Sequence, residues 1–156
     1  MIHQGIVVAV HGRQYRVALS DGRELLCFTR GKKSEYACGD RVTVVESGDG
    51  QGVIETCLPR QTLFYRSNAF REKLIAANVS QVIIVVACEP SFSDELVTRS
   101  LVAAEAVGVK ARIVLNKCDL LERVVEAQRA LQPFVDLGYP VLPLSARGDV
   151  STLRAR

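Results

Sequence analysis

The chain has 156 residues, 48% apolar and 24% charged, with a formal net charge of +3 from 20 basic and 17 acidic side chains. That length allows one ordinary domain or two small ones, and the composition excludes a disordered or fibrous chain. The mild positive balance permits an RNA partner without arguing for one, since a strong electrostatic footprint shows as a clustered excess. The start, "MIHQGIVVAV", lacks the basic opening and long apolar stretch of a signal peptide, and "VIIVVAC" at 82–88 is too short to span a bilayer. The expectation is a cytoplasmic protein with no membrane contact. Its five cysteines (Cys27, Cys38, Cys57, Cys88, Cys118) form no C-x-x-C pair. They read as small core residues, with Cys118 as loop filler, and no metal site is expected.

Residues 1–58 predict five short strands: Gln4 to Val10, Gln14 to Leu19, Glu24 to Phe28, Arg41 to Glu46 and Gly52 to Cys57. "HGR", "SDGR" and "SGDG" supply the turns. Five strands with Gly- and Asp-rich turns suggest a small barrel. The long polar connection "TRGKKSEYACGD" between the third and fourth strands fits an OB-fold, and an SH3-like barrel is the alternative. Residues 1–60 carry eight basic and seven acidic side chains, so any RNA contact must be local. "RGKK" offers Arg30, Lys32 and Lys33 in a barrel loop; its plain reading is a solvated loop. Residues 59–80 read as a linker in which Arg60, Arg66, Arg71 and Lys73 alternate with Phe64, Tyr65 and Phe70. Arginine next to aromatics can hold RNA by phosphate contact and base stacking, with Arg60 and Arg66 as candidates. The same aromatics could equally pack between domains.

From Gln81 the texture changes. "QVIIVVA" is a continuous aliphatic run, as in a parallel strand buried on both faces. Ser93 is placed to cap a helix, with Asp94 and Glu95 in its first turn and Phe92 and Val97 at staple positions. That helix runs to Gly108. "ARIVLN" is a strand, "LLERVVEAQRALQPFVDLG" a second amphipathic helix interrupted near Pro133, and "PVLPLSA" a third short strand. Alternation of strand and helix predicts a parallel sheet, whose ligands bind outside the carboxyl ends of the strands. Asn116 and Ser145 fall at two such ends.

Asn116-Lys117-Cys118-Asp119 suits guanine. A carboxylate at Asp119 accepts from both N1 and the 2-amino group, a donor pair that adenine lacks. A buried acceptor left unpaired against adenine discriminates strongly. Asn116 is placed to bond N7 and brace nearby loops, the stem of Lys117 can cover one face of the base, and the Ala146 N–H can serve O6. Each motif alone has a plain reading as a turn or helix cap, and the joint placement at two successive strand ends carries the expectation.

"NKCDL" followed by "PLSA" resembles the guanine-specificity motifs of Ras-like GTPases, yet no G-x-x-x-x-G-K-[ST] segment precedes Asn116. With "CGDRVTV", "LPRQTLFYR" and "AANVSQVIIV" in this order, the chain resembles the circularly permuted, ribosome-small-subunit-dependent GTPases. The resemblance implies an all-β OB-fold barrel at 1–58, a linker at 59–80, and a partial Ras-like α/β domain at 81–156. It also implies GTP/GDP binding, Mg²⁺, and late maturation of the small ribosomal subunit through its rRNA. By that resemblance Asn116, Lys117, Asp119, Ser145 and Ala146 are guanine contacts. The phosphate-binding loop, the Mg²⁺ ligands, the catalytic segments and the family's zinc-binding C-terminal domain have no counterpart in these 156 residues. The stop at Arg156 therefore reads as a truncation, "DVSTLRAR" as the beginning of the next helix, and no turnover is expected from this chain alone. In a Ras-like sheet, Gln81 to Ala87 would neighbour the absent phosphate-loop strand. Its open edge would then favour self-association, aggregation or coverage by the chain's own C-terminal segment. The alternative function is a stand-alone OB-type RNA-binding module. A dinucleotide-dependent oxidoreductase fits poorly, because "CEPSFSD" after the first sheet strand is not G-x-G-x-x-G.

Overall fold

A computed structural model describes residues 1–31, 36–67 and 72–148. The chain divides into two compact units, Met1–Val79 and Ser80–Arg156.

In the first unit, β1 (Ile2–His11), β2 (Gln14–Leu19), β3 (Glu24–Thr29), β4 (Arg41–Gly48) and β5 (Gln51–Cys57) form a closed barrel in the order β1-β2-β3-β5-β4. Closure comes from antiparallel pairing of β1 with β4 and parallel pairing of β3 with β5. This is the OB-type arrangement of the two barrels considered. The period-2 pattern explains the strands. Tyr15, Val17 and Leu19 of β2 point inward and meet Val7, Leu25, Cys27, Val42, Val44 and Ile54 in one core. Tyr15 is fully buried with its ring edge-on to Tyr36, centroids 5.5 Å apart. Gly5 lies where β1 crosses close to β2: a Cβ there would stand 2.5 Å from Val17 Cγ1 and 2.8 Å from the Ala18 carbonyl.

The stretch read as a linker carries regular structure. β6 (Leu63–Ser67) and β7 (Glu72–Ala77) form a two-stranded antiparallel sheet. It is tied to the barrel by the Ala77 N–H to the Cys38 carbonyl (2.8 Å) and by Asn78 Nδ2 to the Gly39 carbonyl (2.8 Å). Gly39 has φ +91°, and a Cβ on it would lie 2.0 Å from the Ala77 carbonyl oxygen, so this seat requires glycine. Beneath it Asp40 is fully buried. It accepts from Arg60 Nε and Nη2, both at 2.7 Å, and from the Ala37 N–H at 2.8 Å. A buried carboxylate is tolerated when its charge is paired and its lone pairs are filled, as here.

In the second unit, β8 (Gln81–Ala87), β9 (Lys110–Asn116) and β10 (Val141–Pro143) form a parallel sheet in the order β10-β9-β8. α1 (Asp94–Ala106) and α2 (Leu121–Asp136) connect them. The Ser93 hydroxyl accepts from the Leu96 N–H, and Phe92 and Val97 both pack into the core, as the cap and staple positions predict. Pro133 sits inside α2 without ending it. Val97 and Leu101 of α1 and Ala127, Leu131 and Phe134 of α2 share one cluster with Ile84, Val86, Ile113 and Leu115. Both helices therefore cover the same face of the sheet. Ile83 and Val85, which alternate with Ile84 and Val86, are 46% and 63% exposed. Among the described residues β8 is an edge strand.

Candidate functional site

The turn after β9 begins where the aliphatic run of the strand ends. The Asn116 side chain folds back, and its Oδ1 accepts from the Lys117 N–H at 2.8 Å. Lys117 takes a left-handed conformation, φ +61°, uncommon for a residue with a Cβ and typical of strained functional turns. The turn is closed by the Leu120 N–H on the Lys117 carbonyl (3.0 Å) and by the Cys118 N–H on the Leu144 carbonyl (3.1 Å). Extension of the β9–β10 ladder, through the Leu144 N–H on the Leu115 carbonyl (2.9 Å), brings the residues after β10 alongside.

Side chains then join the two turns. Asn116 Oδ1 also accepts from the Ala146 N–H at 3.0 Å, so one oxygen braces both segments. The Ser145 hydroxyl donates to Asp119 Oδ1 at 2.6 Å, and the Arg147 N–H donates to Ser145 Oγ at 3.3 Å. The Ser145 hydrogen bond, and then Asp119's own backbone hydrogen bond, hold the Asp119 carboxyl below its ordinary range; Arg147 and Lys117 add favourable charge. Asp119 is thus an ionised, oriented acceptor at neutral pH, and each of its oxygens can accept more than one hydrogen bond. Lys117 Nζ donates to the Glu89 carbonyl at 2.7 Å, reaching from β9 to the loop after β8.

The structure therefore brings Asn116, Lys117, Asp119, Ser145 and Ala146 together at the carboxyl ends of β9 and β10. Two neighbours lay outside the sequence expectation. Glu89 receives Lys117 through its backbone, which no side-chain pattern could announce. Arg147, whose Nη1 lies 4.0 Å from Asp119 Oδ2, directly follows Ser145-Ala146 and was legible by position.

Of the cationic candidates of the first unit, Arg30, Arg60 and Arg66 lie among the described residues. Arg30 pairs with Glu55. Arg60 holds buried Asp40, which gives it a structural role. Arg66 lines a groove of about 700 Å³ with Tyr36, Cys38, Glu72, Lys73 and Leu74. Lys32, Lys33, Phe70, Arg71 and the segment "DVSTLRAR" apart from its surroundings lie outside the described residues. Among the described residues no group of His, Cys, Asp or Glu could hold a metal ion, and no helix is long and apolar enough to cross a membrane.

A family model described as RsgA GTPase matches residues 57–156. The chain is 52% identical over 150 residues to a "Small ribosomal subunit biogenesis GTPase RsgA" of Nitrosospira multiformis, covering 96% of this chain and 48% of that protein. It thus spans about half the length of the curated relatives it matches. Among solved structures, YjeQ from Thermotoga maritima superposes with a TM-score of 0.67 at 31% identity, covering 94% of this chain and 53% of that one. YloQ, described as a circularly permuted GTPase, superposes with a TM-score of 0.64 at 23% identity over 99% of this chain and 55% of that one, a likeness of fold.

Proposed function

The chain belongs to the RsgA GTPase family, and from that premise we propose that it supplies the guanine-recognition part of a cytoplasmic GTP-binding protein acting in biogenesis of the small ribosomal subunit. One observation carries the reading: the cross-bonded pair of turns in which Asn116 Oδ1 accepts from Ala146 and Ser145 donates to Asp119. Asp119 accepts from N1 and the 2-amino group of guanine. Asn116 donates through Nδ2 to N7 while its Oδ1 keeps the two turns in register. The stem of Lys117 lies over the base, and the Ala146 N–H serves O6. The donor and acceptor set fits guanine and leaves Asp119 unpaired against adenine.

Hydrolysis of GTP is proposed for the whole protein and not for these residues alone. Phosphoryl transfer depends on a phosphate-binding loop and Mg²⁺, and these 156 residues contain no G-x-x-x-x-G-K-[ST] segment. We place the rRNA contact on the first unit, at Arg30 and Arg66 with Lys32 and Lys33; the bond of Arg60 to Asp40 directs that side chain inward. The groove that joins Arg66 and Lys73 to Tyr36 favours the second reading, an OB-type RNA-binding module in its own right. We also place self-association on the edge of β8.

The test is Asp119→Asn in a chain that includes a phosphate-binding segment. GDP binding should fall about a hundredfold, since two charged hydrogen bonds at about 1.5–3 kcal/mol each are at stake. Xanthine nucleotides should gain, because an Asn amide can donate to the carbonyl that replaces the 2-amino group. Unchanged GDP affinity removes Asp119 from the site, and RNA binding indifferent to the substitution then favours the second reading.

A further inference from the structure

Two thiols lie beside the guanine turn. Cys88 directly follows Ala87, which is the register partner of Asn116, and the Cys88 N–H donates to the Asn116 carbonyl at 3.1 Å. Cys88 is 7% exposed and belongs to the core cluster of the sheet; Cys118 packs against that same cluster. Cys118 is also the residue between Lys117 and Asp119, and its thiol donates to the Leu115 carbonyl at 3.2 Å. Burial raises the Cys88 thiol above its ordinary range, and Cys118 raises it further. Cys88 is not sealed off. It lines a cavity of about 440 Å³ with Glu89, Pro90, Phe92, Arg123 and Ala127.

We propose that Cys88 and Cys118 form a reversible disulfide that disables guanine recognition by the turn from Asn116 to Asp119, an inference that rests on the reading of that turn given above. The oxidant is a low-molecular-weight disulfide. The thiolate of half-buried Cys118 attacks one of its sulfurs, forming a mixed disulfide and releasing one small thiol. The Cys88 thiolate then attacks the Cys118 sulfur and displaces the second small thiol, which leaves from the half-buried Cys118 side into solvent. Two protein thiols and one small disulfide become one protein disulfide and two small thiols. Bonding to Cys88 takes the Cys118 sulfur from the Leu115 carbonyl and draws Cys118 toward the end of β8. Lys117 and Asp119 flank it in the chain and move with it. The bonds Asn116–Ala146 and Ser145–Asp119, which set the site, are then lost.

The test oxidises the 156-residue chain with oxidised glutathione and maps its unreduced peptides by mass spectrometry. A Cys88–Cys118 cross-link is expected, absent in C88S and in C88A, the second variant guarding against a folding defect in the first. Exchange of the Ala146 amide should rise about tenfold on oxidation and return on reduction, since its partner Asn116 Oδ1 is withdrawn. A glutathione adduct on Cys118 without the cross-link overturns the proposal. So does a cross-link that leaves Ala146 exchange unchanged. The Asp119→Asn measurement of GDP affinity in a chain that includes a phosphate-binding segment tests the guanine reading separately. Unchanged affinity sinks that reading, while the cross-link and the Ala146 amide still decide the switch.

Discussion

The barrel and the sheet draw on the same aliphatic residues and differ in closure. In the barrel every strand has a partner on each side, and the alternating inward residues fill one core. In the sheet, among the described residues, helices cover one face, while β8 ends the ladder and presents Ile83 and Val85. Closure gives each of the five barrel strands a backbone partner on both sides. Among the described residues, β8 keeps unpaired N–H and C=O groups next to apolar side chains, the usual setting for pairing with another chain. The sites follow the same division. The candidate site uses strand ends, where a parallel sheet gathers loops on one side. Among the described residues, the barrel and the β6–β7 sheet carry Arg30, paired with Glu55, and Arg66 in a groove.

The largest expected effect that would sharpen this contrast is in the first unit. Asp40→Ala removes a fully buried carboxylate and leaves Arg60 and the Ala37 N–H without it. Breaking a buried pair costs about 3–5 kcal/mol. Denaturant unfolding followed through Tyr15 and Tyr36 should show that loss, while amide exchange in β9 stays as it was. Equal loss in both units would mean they do not fold separately.

Ile113→Ala is the counterpart in the sheet. The side chain is fully buried between the helices and the sheet, and its truncation should cost about 2–4 kcal/mol. The second unit's unfolding should shift, with the barrel's transition in place.

Smaller still is the difference between edge and barrel strands in the intact chain. Val82 to Val86 of β8 should exchange their amides about tenfold faster than Val42 to Val45 of β4 in a dilute monomer. Equal protection in a stable monomer, with nothing laid along β8, would remove the open edge from this account. Protection that appears only at high concentration would locate self-association there.

The smallest effect is on acid sensitivity. Asp21 is held below its ordinary range chiefly by the Arg23 backbone hydrogen bond, and Glu46 chiefly by the Arg23 side chain. Asp119 is held low by Ser145. All three carboxyls are depressed in the folded chain. Their contribution is complete above the ordinary values of 3.8 for Asp and 4.5 for Glu and is lost as the pH falls through the lower folded values. Salt should weaken the exposed Arg23 cluster and leave the Ser145–Asp119 bond, which joins a neutral donor to a charge, comparatively unaffected. Ser145→Ala should raise the Asp119 pKa in an NMR titration; no change would detach Ser145 from that carboxylate.

Much of the fold was legible in the chain. Period-2 runs separated by Gly and Asp turns marked all five barrel strands, because a half-buried strand must alternate. Continuous aliphatic runs marked β8 and β9 as strands, although the expected burial of β8 on both faces is not met: among the described residues helices cover one face and Ile83 and Val85 are exposed on the other. The capped start of α1 was written in Phe92, Ser93 and Val97. The pairing of β6 with β7 was not legible: the strands are short, their apolar and polar residues do not alternate cleanly, and their seat is made by Gly39, Asp40 and Asn78, distant in sequence. Those contacts read as "linker" to any local pattern.

For the candidate site the division is sharper still. Residue types alone pointed to which groups gather, since Asn, Lys and Asp at a strand end and Ser-Ala at the next offer chemistry that matches guanine. Tertiary structure decided how they are held. Parallel registration of β9 with β8 and β10 puts Asn116 Oδ1 between Lys117 and Ala146, Ser145 against Asp119, and Lys117 on the Glu89 carbonyl. It also put Cys88 beside the turn that contains Cys118. No spacing along the chain encodes a bond between residues about thirty positions apart; only the sheet, by aligning strand ends, brings such residues within reach.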